Sequence, residues 1–399
     1  MGLLSGIRIL SVEQYGAGPF GSQALADLGA DVIKIENPND GGDVSRSLGP
    51  YFGEGLPETA SSLFFASVNR NKRSVALDLS SDEGQRVFQR LVTTADAMAC
   101  NLRGDVPDRL GLTYKTLGAI KKDIVCCHLT AYGRKGSRAS WPGYDYLIQA
   151  EAGYFDLNGE PDSPPSRFGL SIVDFMTGYT MGLGLVSGIL NARETGKGRD
   201  IDVSLYDVGI ANLSYLAAWA LNTGYQPTRQ PRSAHPSLTP CQLYRTADGW
   251  IYIMANKEKF WPILCERIGR RSLADDPRFA TFTERLEHRF ELTELLDEVL
   301  SAETTETWIE SLSGAVPCAP VNTVTAALES PFFKESGMAQ ALGSDLWRET
   351  RALGNPILST EAARHDPPPT LGQDTDTLLK EAGIAADEID RLRNSGAIA

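Results

Sequence analysis

Apolar and polar residues follow two different periods along the first half of the chain. Six short, nearly continuous apolar runs are typical of strands that are buried on both faces of a sheet. These runs are GIRILSV at 6–12, DVIKIE at 31–36, RSVALDL at 73–79, ADAMAC at 95–100, DIVCCHL at 123–129 and RDIDVSLYD at 199–207. Between them, apolar residues recur at helical spacing, as in the stripe Val87, Phe88, Leu91 and Val92. Strands that alternate with helices predict a mostly parallel sheet covered on both faces.

Small and polar residues mark the ends of these predicted elements. Ser80 and Glu83 have the spacing of a capping box at the start of the second helical stripe. In parallel sheets covered by helices, ligands bind beyond the carboxyl ends of the strands. The turn from Gly16 to Gly18, Asn101 and Tyr132 each follow a predicted strand, so we expect them at that edge.

Glycine and proline content distinguishes two later segments. DFMTGYTMGLGLVSGILNAR at 174–193 predicts a long helix, and its four glycines indicate that another backbone packs very close to it. The Pro- and Arg-rich stretch after residue 222 predicts a linker, and a second αβ segment follows it. We therefore expect a large domain begun by 1–222, a linker at 223–237, a small domain at 238–325 and a return segment at 326–399 that completes the large domain.

Composition and charge argue against several classes of protein. The net charge of −13 argues against a general nucleic-acid binder, which needs a basic face. No uninterrupted apolar run approaches the roughly 20 residues that cross a bilayer, and the N-terminus has no signal pattern, so we expect a cytoplasmic protein without a membrane partner. Six cysteines without a C-x-x-C pair and four scattered histidines predict reduced thiols and no metal site.

A glycine motif follows the first predicted strand. Gly16, Gly18 and Gly21 form G-x-G-x-x-G, and Glu36 follows 15 residues later, as in a nicotinamide dinucleotide site where an acid binds the ribose. Pro19 weakens that interpretation because it removes one N–H donor from the turn. The same glycines are also typical of a tight turn that packs a helix on a sheet without any ligand. The motif alone leaves both interpretations open.

Seven segments, taken in order, resemble a known family. They are GIRILSVEQYGAGPFGSQALADLGADVIKIE at 6–36, NRNKRSVALDL at 69–79, DRLGLTYKTL at 108–117, PGYDYLIQAEAG at 142–153, IVDFMTGY at 172–179, TGKGRDIDVSLYD at 195–207 and PPPTLGQDTDTLLKEAG at 367–383. This set, which covers nearly the whole chain, resembles the family III CoA-transferases. The resemblance implies a Rossmann-like large domain, a smaller α/β domain and an interlocked homodimer. It also implies that the glycine turn meets coenzyme A, without NAD or a metal ion.

The resemblance identifies Asp174 as the catalytic residue. It implies that CoA passes from an acyl-CoA donor to a carboxylic acid acceptor through mixed anhydrides and an aspartyl-CoA thioester. From the residues alone, Asp174 follows the apolar LSIV and begins a helix, where N–H groups and the helix dipole stabilise the anion. Simple helix capping explains that position as well.

The resemblance also carries the family's CoA-binding positions onto this chain. The loop NLRGD at 101–105 departs from the family's NFRPG-like form, which leaves the shape of that loop open. The positions that match are Tyr15, Gly16, Ala17, Leu77, Ser80, Asn101, Arg103, Arg109 and Tyr132.

Three features bear on the substrate. The racemase branch of the superfamily has a histidine where the segment GYD has Tyr144, which favours CoA transfer over racemisation. The glycine-run lid of formyl-CoA transferase is missing from SAHPSLTPCQLY at 233–244, which makes formyl or oxalate transfer a weaker expectation. Arg229, Arg232 and His235 could face the second carboxylate of a small dicarboxylic or hydroxy-dicarboxylic acid, although exposed linker charges explain them equally well.

Two other functions stay open at this point. One is an acyl-CoA racemase or isomerase on the same fold. The other is a CoA- or dinucleotide-binding protein without activity.

Overall fold

Six parallel strands form the main sheet in the computed structural model, which describes residues 2–52, 62–343, 347, 350–359 and 365–399. The strands are β1 (Arg8–Val12), β2 (Asp31–Glu36), β3 (Arg73–Ala76), β4 (Ala97–Cys100), β5 (Val125–Thr130) and β6 (Asp200–Ser204). Their order is β3-β2-β1-β4-β5-β6, and every neighbouring pair is parallel. Each strand overlaps one of the six apolar runs, so the predicted mostly parallel α/β fold is confirmed.

The described residues form two units. The first contains the residues up to Ala152, Phe168–Leu221 and Ser336–Ala399, and the second contains Gly153–Arg167 and Asn222–Glu335. The second unit therefore includes 153–167 and 326–335, which the sequence pattern assigns to the large domain. Arg229 explains part of this difference, because its guanidinium donates to the carbonyl oxygens of Glu160 and Ser163 at 3.1 and 2.5 Å. Such a long-range contact leaves no periodic signal in the sequence.

Helices cover both faces of the main sheet. Numbered in chain order, the helices of this unit are α1 (Ala17–Asp27), α2 (Leu63–Asn69), α3 (Asp82–Val92), α4 (Val106–Arg109), α5 (Tyr114–Leu117), α6 (Asp145–Glu151), α8 (Ile172–Thr195), α9 (Leu205–Ala211), α10 (Ser214–Thr223), α17 (Thr375–Glu381) and α18 (Ala386–Asn394). One face packs against α3, α17 and α18, and the other packs against α1 and α8. The predicted stripe on α3 is fully buried.

An antiparallel sheet organises the second unit. Its strands β7 (Cys241–Arg245), β8 (Trp250–Met254) and β9 (Cys318–Pro320) pair in that order. Its core surrounds Trp261, Tyr244 and Leu296. The helices are α7 (Tyr154–Leu157), α11 (Phe260–Arg267), α12 (Phe282–Glu287), α13 (Arg289–Leu300), α14 (Thr305–Leu312), α15 (Val324–Glu329) and α16 (Pro331–Ser336). A short pair, β10 (Ala339–Ala341) with β11 (Arg351–Leu353), belongs to the first unit.

The predicted capping box at the start of α3 is wrong by one residue. Ser81 is the N-cap, and its hydroxyl accepts from the Gly84 N–H at 3.0 Å. Ser80 is not free to cap, because its own N–H and hydroxyl donate to the Asp78 carboxylate at 2.8 and 2.6 Å. The side chain of Asp78 forms a local turn that delays the helix.

Helix α8 packs against α1 through glycine, as its sequence predicts. A Cβ built on Gly21 of α1 would lie 2.3 Å from the Gly178 carbonyl oxygen, so no larger residue fits between the two backbones. By length and composition α8 could also cross a membrane, with a mean hydropathy of 1.3 over an 18-residue window, so the expected lack of a membrane partner stays a prediction. Half of that window is buried inside the protein, as in a core helix.

Candidate active site

The glycine turn lies where the strand order of the sheet reverses. β1 stands between β2 and β4, and in such sheets ligands bind beyond the carboxyl ends of the strands at this switch point. The turn leaves β1, passes through Tyr15 with a φ of +72°, and enters α1 at Ala17. Each glycine of the motif has a close neighbour: a Cβ on Gly16 would lie 2.6 Å from Asp174 Oδ2, and one on Gly18 would lie 2.9 Å from the Asn101 Cβ.

Asp174 is a buried carboxylate in the first turn of α8. The helix begins at Ile172, so Asp174 is its third residue and not its first. Within the described residues the carboxylate accepts no hydrogen bond, while burial and the nearby Asp145 carboxylate raise its pKa to about 7. The expectation that the helix N-terminus keeps this group strongly stabilised as an anion is therefore wrong. Desolvation outweighs the dipole at this position.

Asp145 is a site residue that the sequence analysis missed. It is 3% exposed and accepts from the Asp174 N–H at 2.9 Å. Its other oxygen accepts from the Gln149 side-chain amide at 2.5 Å. Asp145 thus satisfies an N–H in the first turn of α8 and places a negative charge beside Asp174. The signal for Asp145 in the sequence is the segment GYD, in which it follows Tyr144.

Asn101 holds the glycine turn from the neighbouring strand. Its side-chain oxygen accepts from the Gln14 N–H at 2.9 Å, and its amide nitrogen donates to the Gln14 carbonyl at 2.6 Å. Both polar groups of the side chain are therefore used inside the protein. The Tyr15 ring, which is 37% exposed, lies beside Phe64 and Tyr144, with centroids 5.3 and 6.1 Å away.

The remaining predicted CoA positions follow β3, β4 and β5. Leu77 is 1% exposed and belongs to the core, and its N–H donates to the Glu36 carbonyl at 2.8 Å, so this structure presents almost none of its surface to a ligand. Arg103 and Arg109 are exposed; Arg103 pairs with Asp105 at 2.5 Å, whereas Arg109 forms no salt bridge within the described part of the chain. Ser80 is exposed after β3, and Tyr132 follows β5 and donates to the Glu151 carboxylate at 3.0 Å. The structure brings Tyr15, Gly16, Ala17 and Asn101 together at the turn beside Asp174, and it distributes the other five along the same edge of the sheet.

Glu36 binds side chains of the protein itself, unlike the acid that binds the ribose in a dinucleotide site. Both of its oxygens accept from Arg46, at 2.9 and 2.7 Å, and the Ser74 hydroxyl donates to it at 2.7 Å. It is 3% exposed and so has no oxygen available to a ribose hydroxyl. The glycine motif therefore lacks the acid that a nicotinamide dinucleotide site requires.

The second unit contains the three residues predicted to face the acceptor, and their side chains already have partners there. The three are Arg229, Arg232 and His235. Arg232 forms an ion pair with Asp297, and Arg229 binds backbone carbonyls. Burial and the nearby Arg289 lower the pKa of His235, whose ring accepts from the Ser237 N–H. Neither arginine presents an unpaired guanidinium in this structure.

A buried cluster of polar side chains surrounds His128, but it lacks the chemistry of a nucleophilic or metal site. Its ring lies between the Cys100 thiol, at 3.4 Å, and the Asp200 carboxylate, at 2.8 Å. Burial raises the pKa of the Cys100 thiol to about 12, so this thiol is not a nucleophile. Across the described ranges, no group of three or more His, Cys, Asp or Glu has a metal-binding arrangement. The expected lack of a metal ion and of NAD stays a prediction.

A Rossmann-type sheet, a glycine turn at its switch point and a buried carboxylate against that turn together are typical of an α/β enzyme with its site at this edge of the sheet. The model of CoA-transferase family III matches residues 4–375, so the chain belongs to CoA-transferase family III. The predicted family is confirmed.

Proteins from several organisms resemble the chain over most of its length. It is 33% identical over 382 residues to a succinate–glutarate CoA-transferase of Agrobacterium fabrum, covering 95% of each chain. It is 34% identical to an acetyl-CoA:oxalate CoA-transferase of Acetobacter aceti, covering 83% of each. The crystal structure of a CAIB/BAIF family protein from Brucella suis superposes with a TM-score of 0.82 at 33% identity, covering 96% of this chain and 99% of that one.

Proposed function

We propose that this protein transfers CoA from an acyl-CoA donor to a small dicarboxylic acid, with Asp174 as the covalent carrier. The observation that carries this proposal is the position of Asp174, a buried carboxylate beside Gly16 to which the described residues donate no hydrogen bond that would reduce its nucleophilicity. Membership of the family and the names of the relatives support the reaction class.

The reaction proceeds by two acyl exchanges. The ionised Asp174 attacks the thioester carbonyl and the C–S bond breaks. The CoA thiolate departs, and a mixed anhydride of Asp174 with the donor acid remains. The thiolate then attacks the aspartyl carbonyl, which releases the donor acid as its carboxylate and forms the aspartyl-CoA thioester. The acceptor carboxylate attacks that thioester, and the released thiolate attacks the acceptor carbonyl of the second anhydride. Acyl-CoA leaves and Asp174 is restored, so each difficult displacement is divided into easier ones.

CoA would lie along the carboxyl ends of β1, β3, β4 and β5. The backbone at Gly16 and Ala17 would meet the thioester end, because it is the part of the turn nearest Asp174. The exposed Arg103 and Arg109 would contact the phosphates, where an arginine gains most from bidentate hydrogen bonds. Asn101 would act mainly by holding the turn, since its own amide is already bonded to Gln14.

The acceptor would be a dicarboxylic acid, as the names of the relatives indicate. Because one of them is an oxalate enzyme, oxalate belongs in the acceptor panel together with glutarate. Arg229 and Arg232 are poor candidates for binding the second carboxylate, because their guanidinium groups already have partners in their own unit.

A mass-spectrometric trap tests the proposal. Incubation with succinyl-CoA should give a CoA-sized adduct on Asp174, and addition of glutarate, but not of a monocarboxylic acid, should discharge it as glutaryl-CoA. Asp174→Asn should form no adduct and should lower the transfer rate by about 1,000-fold or more, whereas the exposed Asp156→Asn should behave like the wild type. An intact Asp174→Ala variant that still transfers CoA would refute the assignment. Deuterium uptake at the α-carbon without an acceptor would instead indicate a racemase.

A further inference from the structure

Six buried ionisable side chains lie beneath the glycine turn. Three are acids and three are bases, so the group is neutral as a whole, and none is more than 5% exposed. Replacing buried ion pairs by apolar residues is often neutral or even stabilising, so stability alone does not explain this arrangement. The six are Glu13, Lys34, Glu36, Asp43, Arg46 and Lys72.

Two of the ion pairs hold the backbone of the turn. Lys34 pairs with Asp43 at 2.8 Å and donates to the Glu13 carbonyl at 2.9 Å. Lys72 pairs with the Glu13 carboxylate at 2.9 Å and donates to the Pro19 carbonyl at 2.9 Å. Both ends of the segment 13–19 are therefore fixed by buried ammonium groups.

Asp43 also holds the middle of that segment. One of its oxygens accepts from the Tyr15 N–H at 3.0 Å and the other faces Lys34. Tyr15 has a φ of +72°, a left-handed conformation that is costly for a residue with a side chain. Such strain persists only where the surroundings over-determine it, and it concentrates at functional sites. The strained residue immediately precedes Gly16, whose backbone lies against Asp174.

We propose that the buried pairs Lys34–Asp43 and Lys72–Glu13 are positioning residues for CoA transfer: they hold the turn 13–19, with Tyr15 left-handed, so that Gly16 stays against Asp174. This inference rests on the proposed function. The pairs act through the turn and do not touch the reacting atoms. Because a displacement of about 1 Å at a reacting centre can cost about 100-fold in rate, small relaxations of the turn have large effects on transfer.

A charge-neutral double variant tests the role of the first pair. Lys34→Met/Asp43→Leu removes the ion pair together with the acceptor for the Tyr15 N–H. With succinyl-CoA and glutarate we expect kcat to fall about 100-fold and KM for succinyl-CoA to change by less than about 3-fold, since positioning for the transition state is what is lost. The matched control is Asp27→Leu/Arg70→Met, a pair that is equally buried, with side chains 2% and 5% exposed, and that bonds to no residue of the turn. It should keep kcat within about 3-fold of the wild type.

A glycine at position 15 separates positioning from structural support. Glycine adopts the left-handed conformation without a steric penalty. In a Tyr15→Gly background, Lys34→Met/Asp43→Leu should therefore cost less than about 10-fold in kcat, compared with about 100-fold in the wild-type background. If the penalty is the same in both backgrounds, the pair does not act through the conformation of Tyr15 and the proposal is wrong.

The second pair keeps the test decisive if the first double variant fails to fold. Lys72→Met/Glu13→Gln is also charge-neutral and removes the donor to the Pro19 carbonyl. A folded variant of either pair with kcat within about 3-fold of the wild type would overturn the proposal, as would an equal loss in the Asp27/Arg70 control. A wild-type protein that forms no adduct with succinyl-CoA would instead refute the proposed function, and the positioning role with it.

Discussion

Asp174 shows how burial and local dipoles compete at a single carboxylate. The first turn of a helix favours an anion, yet Asp174 has lost most of its contact with water and has the Asp145 carboxylate beside it. The result is a pKa of about 7, so near neutral pH the anion proposed as the nucleophile is present but poorly solvated. A poorly solvated carboxylate suits attack on a thioester, and it should also reduce the stability of the fold.

Asp174→Asn should therefore stabilise the protein while it abolishes transfer. The folded pKa of about 7 lies above the ordinary value of 3.8, so the native state binds more protons than the unfolded state between these values. Wild-type stability consequently falls as the pH rises from about 4 to about 7 and then levels off. The neutral amide of the variant avoids this loss. The variant should gain on the order of 2 kcal/mol at pH 8 and almost nothing at pH 4, measured by urea unfolding at both pH values. A gain that does not depend on pH would contradict the prediction.

Asp145→Asn should move the pH dependence of the reaction. Loss of the neighbouring negative charge lowers the pKa of Asp174, so the anion forms at lower pH. The rising limb of the rate of adduct formation should shift to lower pH than the wild-type limb near 7. A pH series of the succinyl-CoA half-reaction measures this shift. An unchanged limb with a lower plateau would mean that Asp145 acts only by holding the first turn of α8.

The sequence predicts Asp174 through its motif but not the environment that tunes it. Asp145 lies 29 residues earlier, and its contact with the Asp174 N–H exists only because α6 and α8 pack together. The same limit applies to Leu77, because an apolar residue at the end of a strand has the same pattern whether it faces a ligand or the core. Side-chain direction at such an edge is set by tertiary packing.

Among the secondary-structure elements, the hydrophobic period and the composition are sufficient to predict the strands. They predict the ends of the helices less well. All six strands of the main sheet overlap predicted apolar runs, because both faces of the sheet are buried. The start of α3 was displaced by one residue because the Asp78 side chain captures Ser80. Helix ends depend on single hydrogen bonds, which a periodic pattern does not contain.

The α1–α8 contact gives a prediction about glycine at this scale. Gly21→Ala would place a methyl group 2.3 Å from the Gly178 carbonyl oxygen, so the two helices must separate. We expect a loss of about 3 kcal/mol in the free energy of unfolding. Gly182 on the same face of α8 is the matched control, because its Cβ would meet Leu25 at an ordinary 3.6 Å. Gly182→Ala should be neutral or stabilise by up to about 1 kcal/mol through helix propensity. Denaturant unfolding measures the change in the free energy of unfolding for both variants. Equal changes would contradict the close approach of α1 and α8 at Gly21.

At the scale of the whole molecule, the composition limits the possible classes of protein. It does not show where the chain divides into its two units. The charge of −13 is compatible with the proposed anionic ligand, because the proposed site would need only a few arginines at one edge of the sheet. The assignment of 153–167 to the second unit depends on contacts such as Arg229 with the carbonyls of Glu160 and Ser163. A stretch rich in Pro and Arg resembles a linker whether it is solvated or, as here, bonded to a distant segment.

An interlocked homodimer is the prediction that concerns the assembled molecule. The outer face of α8 exposes Leu183 and Leu190, at 69% and 63%, and apolar exposure of this kind on one helix is typical of an interface. Sedimentation should give about 87 kDa, twice the 43.3 kDa of the chain. Because interlocked chains cannot separate while folded, this mass should persist through a dilution of about a thousand-fold, and monomers should appear only with unfolding.

Leu183→Glu/Leu190→Glu should lower the unfolding midpoint, whereas the equally exposed Leu3→Glu should leave it unchanged. A folded 43.3 kDa species on dilution would exclude interlocking.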